Sequence, residues 1–199
     1  MNVAGVEKCS LVDWPGKMAA VVFAPGCNLR CHYCHNRATL CESPVLLDRD
    51  AVLALLYERR GFLDGVVISG GEPTLQLGLT TFIDSVRAMG YPVKLDTNGT
   101  RPRVLQSLLE TERLDFVAMD VKAPRHRYDE VCGVSVDQDA IDESIDLILR
   151  SGVAHEFRTT VLPDFTEEDI LDIVERVSGA ERYVLQPYRS SEGSQSLEA

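Results

Sequence analysis

Three cysteines stand within eight positions in the stretch PGCNLRCHYCHN: Cys27, Cys31 and Cys34, spaced C-x3-C-x2-C. A thiolate is a soft ligand that suits zinc or an iron–sulfur cluster. Structural zinc is closed and four-coordinate, and Cys9, Cys41, His32 or His35 could complete such a site. A four-iron cube needs no fourth protein ligand. Three thiolates hold three irons and leave one open to an outside molecule. Spacing alone leaves both chemistries open.

Other stretches carry polar chemistry. In SGGEPT, Gly70 and Gly71 let backbone approach a ligand closely, and Pro73 stiffens the exit. Glu72 adds a carboxylate suited to an ammonium group, although the same stretch reads as a plain glycine turn. In DTNG, Asp96 and Thr97 precede an Asn-Gly turn pair. Asp120 and Lys122 are two apart, so on a strand they share a side. They could form a structural ion pair, and Arg158, amid apolar residues, could be a paired core charge. Together these residues describe a pocket with both signs of charge beside the cysteines, suited to a zwitterion.

Such a pocket must be assembled by the elements between the motifs. The apolar runs at 18–24, 65–70, 92–97, 115–121, 156–161 and 183–188 predict six buried parallel strands. Helical spacing of apolar residues predicts helices over 48–60, 76–89, 102–110 and 138–150, and another after Thr166. There Thr166 is placed to cap Asp169, acidic Glu167 and Glu168 suit the helix dipole, and Ile170, Ile173, Val174 and Val177 form one face. Alternating strands and helices make this an α/β fold, a parallel sheet curled into a barrel or opened as a doubly wound sheet. In both, chemistry collects where strands end. The cysteine stretch, GGEPT, DTNG and DVK each follow or end a strand, Arg158 lies in the fifth, and QPYR ends the sixth.

The chain has 199 residues, is 45% hydrophobic and carries a net charge of −11. One domain spanning 1–199 is expected, with its core over 17–188 and a polar tail over 189–199. The acidic balance counts against a nucleic-acid partner. The scattered Cys9, Cys41 and Cys132 make no disulfide framework and read as ordinary thiols. No signal-peptide pattern opens the sequence, and no apolar run approaches the roughly 20 residues of a membrane span, so a cytoplasmic protein is expected. His126 and His155 read as surface or packing residues, and Trp14 as packing in the turn before the first predicted strand.

The cysteine motif, with Tyr33 before its last cysteine and GGEP after the second predicted strand, resembles the radical S-adenosylmethionine (SAM) superfamily. SLVDWPGKMAAVVFAPGCNLRCHYCHN resembles the N-terminal block of anaerobic ribonucleoside-triphosphate reductase activating proteins, and DTNG and DVK resemble motifs of the pyruvate formate-lyase activator. Both belong among activating enzymes of glycyl radical enzymes. The resemblance implies a partial (β/α)6 TIM-type barrel. It implies that Cys27, Cys31 and Cys34 hold one 4Fe–4S cluster, whose open iron is chelated by the amino and carboxylate groups of SAM. Glu72 and the Gly70–Gly71 backbone would hold the methionine ammonium, and Tyr33 would border the adenine. Asp96, Thr97, Asp120 and the Ala118 carbonyl would hold a monovalent cation. Lys122 would approach the SAM carboxylate, with Arg158 a further contact. One departure is Arg189, where the formate-lyase activator has a histidine. The implied activity is anaerobic reductive cleavage of SAM and hydrogen-atom abstraction, an oxidoreductase reaction with no general acid or base. The implied partners are a glycyl radical enzyme, best matched by anaerobic ribonucleotide reductase, and flavodoxin or ferredoxin as electron donor. The runner-up is a small-molecule enzyme like 7-carboxy-7-deazaguanine synthase, which typically has Asp where CHN follows the cluster here. A non-catalytic zinc or iron–sulfur binding protein is the third reading.

Overall fold

The computed structural model describes residues 1–42 and 44–189; the rest of the polar tail lies outside them. The six expected strands form as β2 (Ala19–Ala24), β3 (Gly65–Gly70), β4 (Val93–Thr97), β5 (Phe116–Asp120), β6 (Ala154–Val161) and β7 (Tyr183–Pro187), all parallel. A seventh strand, β1 (Gly5–Ser10), pairs antiparallel with β2. It escapes sequence reading because only its last residue is buried and its sequence GVEKCS is largely polar, so no apolar run marks it.

The sheet order is sequential from β1 to β7, and no pairing among the described residues closes β7 onto β1. A doubly wound sheet would reverse its strand order at a switch point. Sequential order with right-handed crossovers instead puts every helix on one face and bends the sheet around the other. The fold is a partial (β/α)6 barrel with an added edge strand. The helices are α1 (Arg49–Glu58), α2 (Leu79–Ala88), α3 (Pro102–Glu110), α4 (Tyr128–Cys132), α5 (Gln138–Ser151) and α6 (Glu167–Arg176). The short α4 is too brief to show a helical period.

Strand alternation divides the core. Val22, Ile68, Leu95 and Met119 face outward into the helices, where Leu56, Phe82 and Ile145 meet them. Ala19, Val21 and Val67 face inward with Trp14. Trp14 plugs the floor of the arc, 6.1 Å from Phe116 between ring centroids. A side chain at Gly65 would come within 2.7 Å of its ring. The α6 start follows the sequence: Asp169 N–H donates to Thr166 Oγ1 (3.1 Å), and Thr166 N–H donates back to the Asp169 carboxylate (2.9 Å). Its apolar face is narrower than expected, because Val174 is exposed. Among the described residues, no helix is long and apolar enough to cross a membrane.

Candidate active site

A cavity of about 450 Å³ opens at the C-terminal ends of the strands. Cys27, Cys31, Cys34, Tyr33, Gly70, Gly71, Asp96, Thr97, Asp120, Lys122 and Arg158 all line it, as does Arg189. Residues from the β2 loop through β7 share this one space because the curled sheet brings its distant edges together.

The two glycines let the β3 loop pack closely on its neighbour. Gly70 has φ of +115°, and a side chain there would come within 2.4 Å of the Ala24 carbonyl. One on Gly71 would come within 2.0 Å of the Gly26 carbonyl. The β3 loop therefore lies directly on the cysteine loop. Gly71 N–H donates to Ala24 (2.9 Å), Glu72 N–H to Gly26 (2.8 Å) and the Gln76 amide to the Pro25 carbonyl (2.6 Å).

Of the predicted site residues, Ala118 and Glu72 are off the cavity wall; Glu72 is fully buried. Its carboxylate accepts from Thr74 N–H (3.0 Å), the Thr74 hydroxyl, the Thr97 hydroxyl (2.8 Å) and Asn98 N–H (2.7 Å). Burial raises its pKa against the pull of these donors. The side chain thus staples the β3 loop to the end of β4.

Charges alternate across the inner face of β4, β5 and β6. Lys94 Nζ donates to Asp96 (2.7 Å), and Ser69 Oγ donates to the other Asp96 oxygen (2.9 Å). Arg158 Nε donates to Asp120 (2.8 Å), and its guanidinium also reaches to 3.6 Å from Asp96. Lys122 Nζ donates to the second Asp120 oxygen (2.8 Å). Burial alone would push the Asp120 carboxyl up, but Arg158 and Lys122 outweigh it and hold it well below the usual carboxylate range. Asp120 in turn holds Lys122 charged, against burial.

Around the thiols, burial pushes Cys27 up to about 11. Leu29 N–H donates to its sulfur (3.4 Å), as does the Asn98 side-chain amide (3.7 Å). The neighbouring Cys132 thiol lowers the pKa of Cys31 against burial. Cys132 is fully buried, and its carbonyl accepts Arg30 N–H (2.7 Å), so the end of α4 braces the cysteine loop. Cys41 shares the cavity wall, whereas Cys9 is exposed elsewhere. The Tyr33 hydroxyl is buried and has no hydrogen-bond partner among the described residues. Among the described residues, no three His, Cys, Asp or Glu side chains gather closely enough to ligate one ion.

Sequence reasoning missed Lys94, Asn98 and Cys132. Lys94 was signalled by a charge inside an apolar run, as Arg158 was. Asn98 was hidden by its ordinary role in a turn. Cys132 has no local signal, since it lies far along the chain and only α4 brings it to Cys31. His155 is a packing residue, with Nδ1 2.9 Å from the Val153 carbonyl and Nε2 accepting Glu181 N–H (3.3 Å).

Residues 21–177 match the Radical SAM superfamily. The chain is 38% identical over 194 residues to a Methanocaldococcus jannaschii protein named "Putative glycyl-radical enzyme activating enzyme MJ1227", covering 94% of this chain and 79% of that protein. It is 28% identical over 204 residues to the pyruvate formate-lyase-activating enzyme of Clostridium pasteurianum, covering 95% and 82%. Among solved structures, QueE from Escherichia coli shares the fold at a TM-score of 0.54 and 17% identity, covering 93% of each chain.

Proposed function

This chain belongs to the radical SAM superfamily, in its glycyl-radical enzyme activating family, and on that footing we propose that it generates the glycyl radical of a partner enzyme. The superfamily implies a 4Fe–4S cluster and SAM. The site fits both: three cysteine thiols on one wall, mixed charge on the other for a zwitterion's carboxylate and ammonium, and a buried Tyr33 hydroxyl awaiting a partner. When bound, the cluster and SAM would supply one-electron chemistry, with an external donor providing the electron for reductive SAM cleavage and hydrogen-atom abstraction from a glycine Cα as its outcome.

The chain's own residues bind, orient and exclude water. Cys27, Cys31 and Cys34 would hold the cluster. Asn98 and Leu29 donate to Cys27, so this sulfur sits in a defined donor environment, and Cys132 neighbours Cys31. Lys122 and Arg158 present positive charge to a SAM carboxylate, and the Gly70–Gly71 backbone offers carbonyls to its ammonium. Tyr33 would border the adenine, and Arg189 stands at the mouth. Glu72 acts from behind the wall by fixing the loops. No side chain is required as a general acid or base.

Anaerobic ribonucleotide reductase is the proposed partner, supported by the motif resemblance, and flavodoxin or ferredoxin the proposed donor, in an anaerobic cytoplasm. The observation that carries this reading is the convergence of the three thiols and the mixed-charge wall on one cavity. The test is anaerobic reconstitution with iron and sulfide, followed by SAM and a reductant. Formation of 5′-deoxyadenosine is expected from the wild type and not from Cys31→Ala. A glycyl radical EPR signal on co-incubated reductase identifies the partner. Turnover of a small molecule, with no radical on any candidate partner, would select the deazaguanine-synthase-like reading instead.

A further inference from the structure

Lys94 is fully buried, and nothing in the proposed reaction uses it. Two residues apart on β4, Lys94 and Asp96 point to the same inner face. The Lys94 ammonium donates to Asp96 Oδ1 (2.7 Å) and to the Asp13 carbonyl (2.6 Å), and lies 5.7 Å from the Phe116 ring centroid. An ammonium in such a place is tolerated only when it is paired and hydrogen-bonded.

The monovalent cation expected from resemblance does not fit here. It would need Asp96, Thr97, Asp120 and the Ala118 carbonyl. All four carboxylate oxygens already meet donors of the protein: Lys94 and Ser69 on Asp96, Arg158 and Lys122 on Asp120. The Thr97 hydroxyl donates to Glu72 (2.8 Å) and accepts Gly99 N–H (3.2 Å). Glu156, the remaining inward carboxylate near Arg158, lies 3.5 Å from Arg182 and 3.9 Å from Arg158. A further cation entering this balanced, enclosed network would lose its water shell without finding an unpaired anion.

We propose that Lys94 is a built-in counter-cation: its ammonium under Asp96, with Arg158 spanning to Asp120, does structurally what a bound sodium or potassium ion would do. The floor of the cavity is then independent of monovalent cations. The inference rests on the SAM reading only for what lies above that floor.

The test uses the full-length protein, before and after cluster reconstitution. Its thermal midpoint is measured in sodium, potassium or choline chloride at equal ionic strength, with sodium-23 NMR linewidths in parallel. Wild-type midpoints are expected to agree within about 1 °C, with no saturable line broadening. Lys94→Met leaves Asp96 short of a cation, and its midpoint is expected to rise with sodium or potassium but not choline. Lys94→Arg, which keeps the charge, is expected to remain cation-independent. If Lys94→Met does not fold, the wild type and Lys94→Arg still decide the matter. Saturable sodium or potassium stabilisation of the wild type by about 3 °C or more overturns the proposal. So does a folded Lys94→Met that is indifferent to the cation. Because these readouts need no SAM cleavage, failure to form 5′-deoxyadenosine would sink the functional reading and leave this one standing.

Discussion

Asn98 shows how a residue in an ordinary turn can act on Cys27, a proposed cluster ligand. Its carboxamide oxygen accepts Thr100 N–H (3.0 Å), which orients the NH2 toward Cys27 Sγ (3.7 Å) and Asn28 (3.1 Å). Donors to cluster sulfurs raise the reduction potential by stabilising the more negative state. Asn98→Ala is predicted to lower the potential of the reconstituted cluster. A hydrogen bond worth about 1 kcal/mol corresponds to roughly 40 mV in a one-electron couple. Redox titration followed by EPR checks this, and an unchanged potential would remove Asn98 from the cluster's surroundings. Glu72 separates its two possible roles by what a substitution disturbs. Glu72→Gln turns an NH2 group toward buried donors and is predicted to destabilise the protein by about 1–3 kcal/mol in urea unfolding. A role confined to holding the SAM ammonium would instead weaken SAM binding with stability intact. The sequence marked Glu72 as important but could not say which way it faced, since only the packing of the β3 loop aims its carboxylate at Thr74, Thr97 and Asn98.

At the scale of elements, the strands and helices were legible because burial imposes a period. Continuous β-branched runs became two-sided parallel strands, and helical spacing placed α2 and α5 with their glycine stops at Gly90 and Gly152. Elements without a period, β1 and α4, were not legible. The loops between elements carry the sharper constraints. Gly71→Ala is predicted to separate the β3 loop from the cysteine loop, since its side chain would come within 2.0 Å of the Gly26 carbonyl. SAM affinity measured by calorimetry should fall by about tenfold, equivalent to ~1.4 kcal/mol. A variant that binds SAM normally would show that the loops tolerate the gap. At α6, Thr166→Ala is predicted to cost about 1 kcal/mol. The Thr166 N–H, aided by its hydroxyl and Arg127, holds Asp169 below its ordinary value of 3.8. A lowered carboxyl stabilises the fold while ionised, so this contribution is fully present above about pH 4 and fades as the pH falls through the folded value. Acid titration of stability should therefore show a smaller acid-side loss for Asp169→Asn than for the wild type.

For the molecule as a whole, the partial barrel has an apolar floor at Trp14 and Phe116, a charged midsection from Lys94 to Arg158, and a thiol-lined mouth. Trp14 is the only tryptophan, so its fluorescence reports on the floor. Trp14→Leu is predicted to cost about 3 kcal/mol, the order seen when a large buried aromatic side chain is cut back. Wild-type unfolding followed by Trp14 emission should coincide with loss of far-UV circular dichroism if floor and helices share one cooperative core. Separate transitions would divide them. By itself, the sequence determined which residues could do chemistry and that most of them stand at strand ends, with Arg158 inside its strand. Residue type sets ligand softness and charge, and burial imposes a pattern on the chain that short windows reveal. Tertiary structure alone decided that the strand order is sequential, that Glu72 turns inward from the cavity, and that Cys132 meets Cys31. It also decided that Lys94 and Arg158 occupy the charge positions around Asp96 and Asp120. These are contacts between segments far apart in the chain. They depend on how neighbouring strands and loops are registered, which no local spacing encodes.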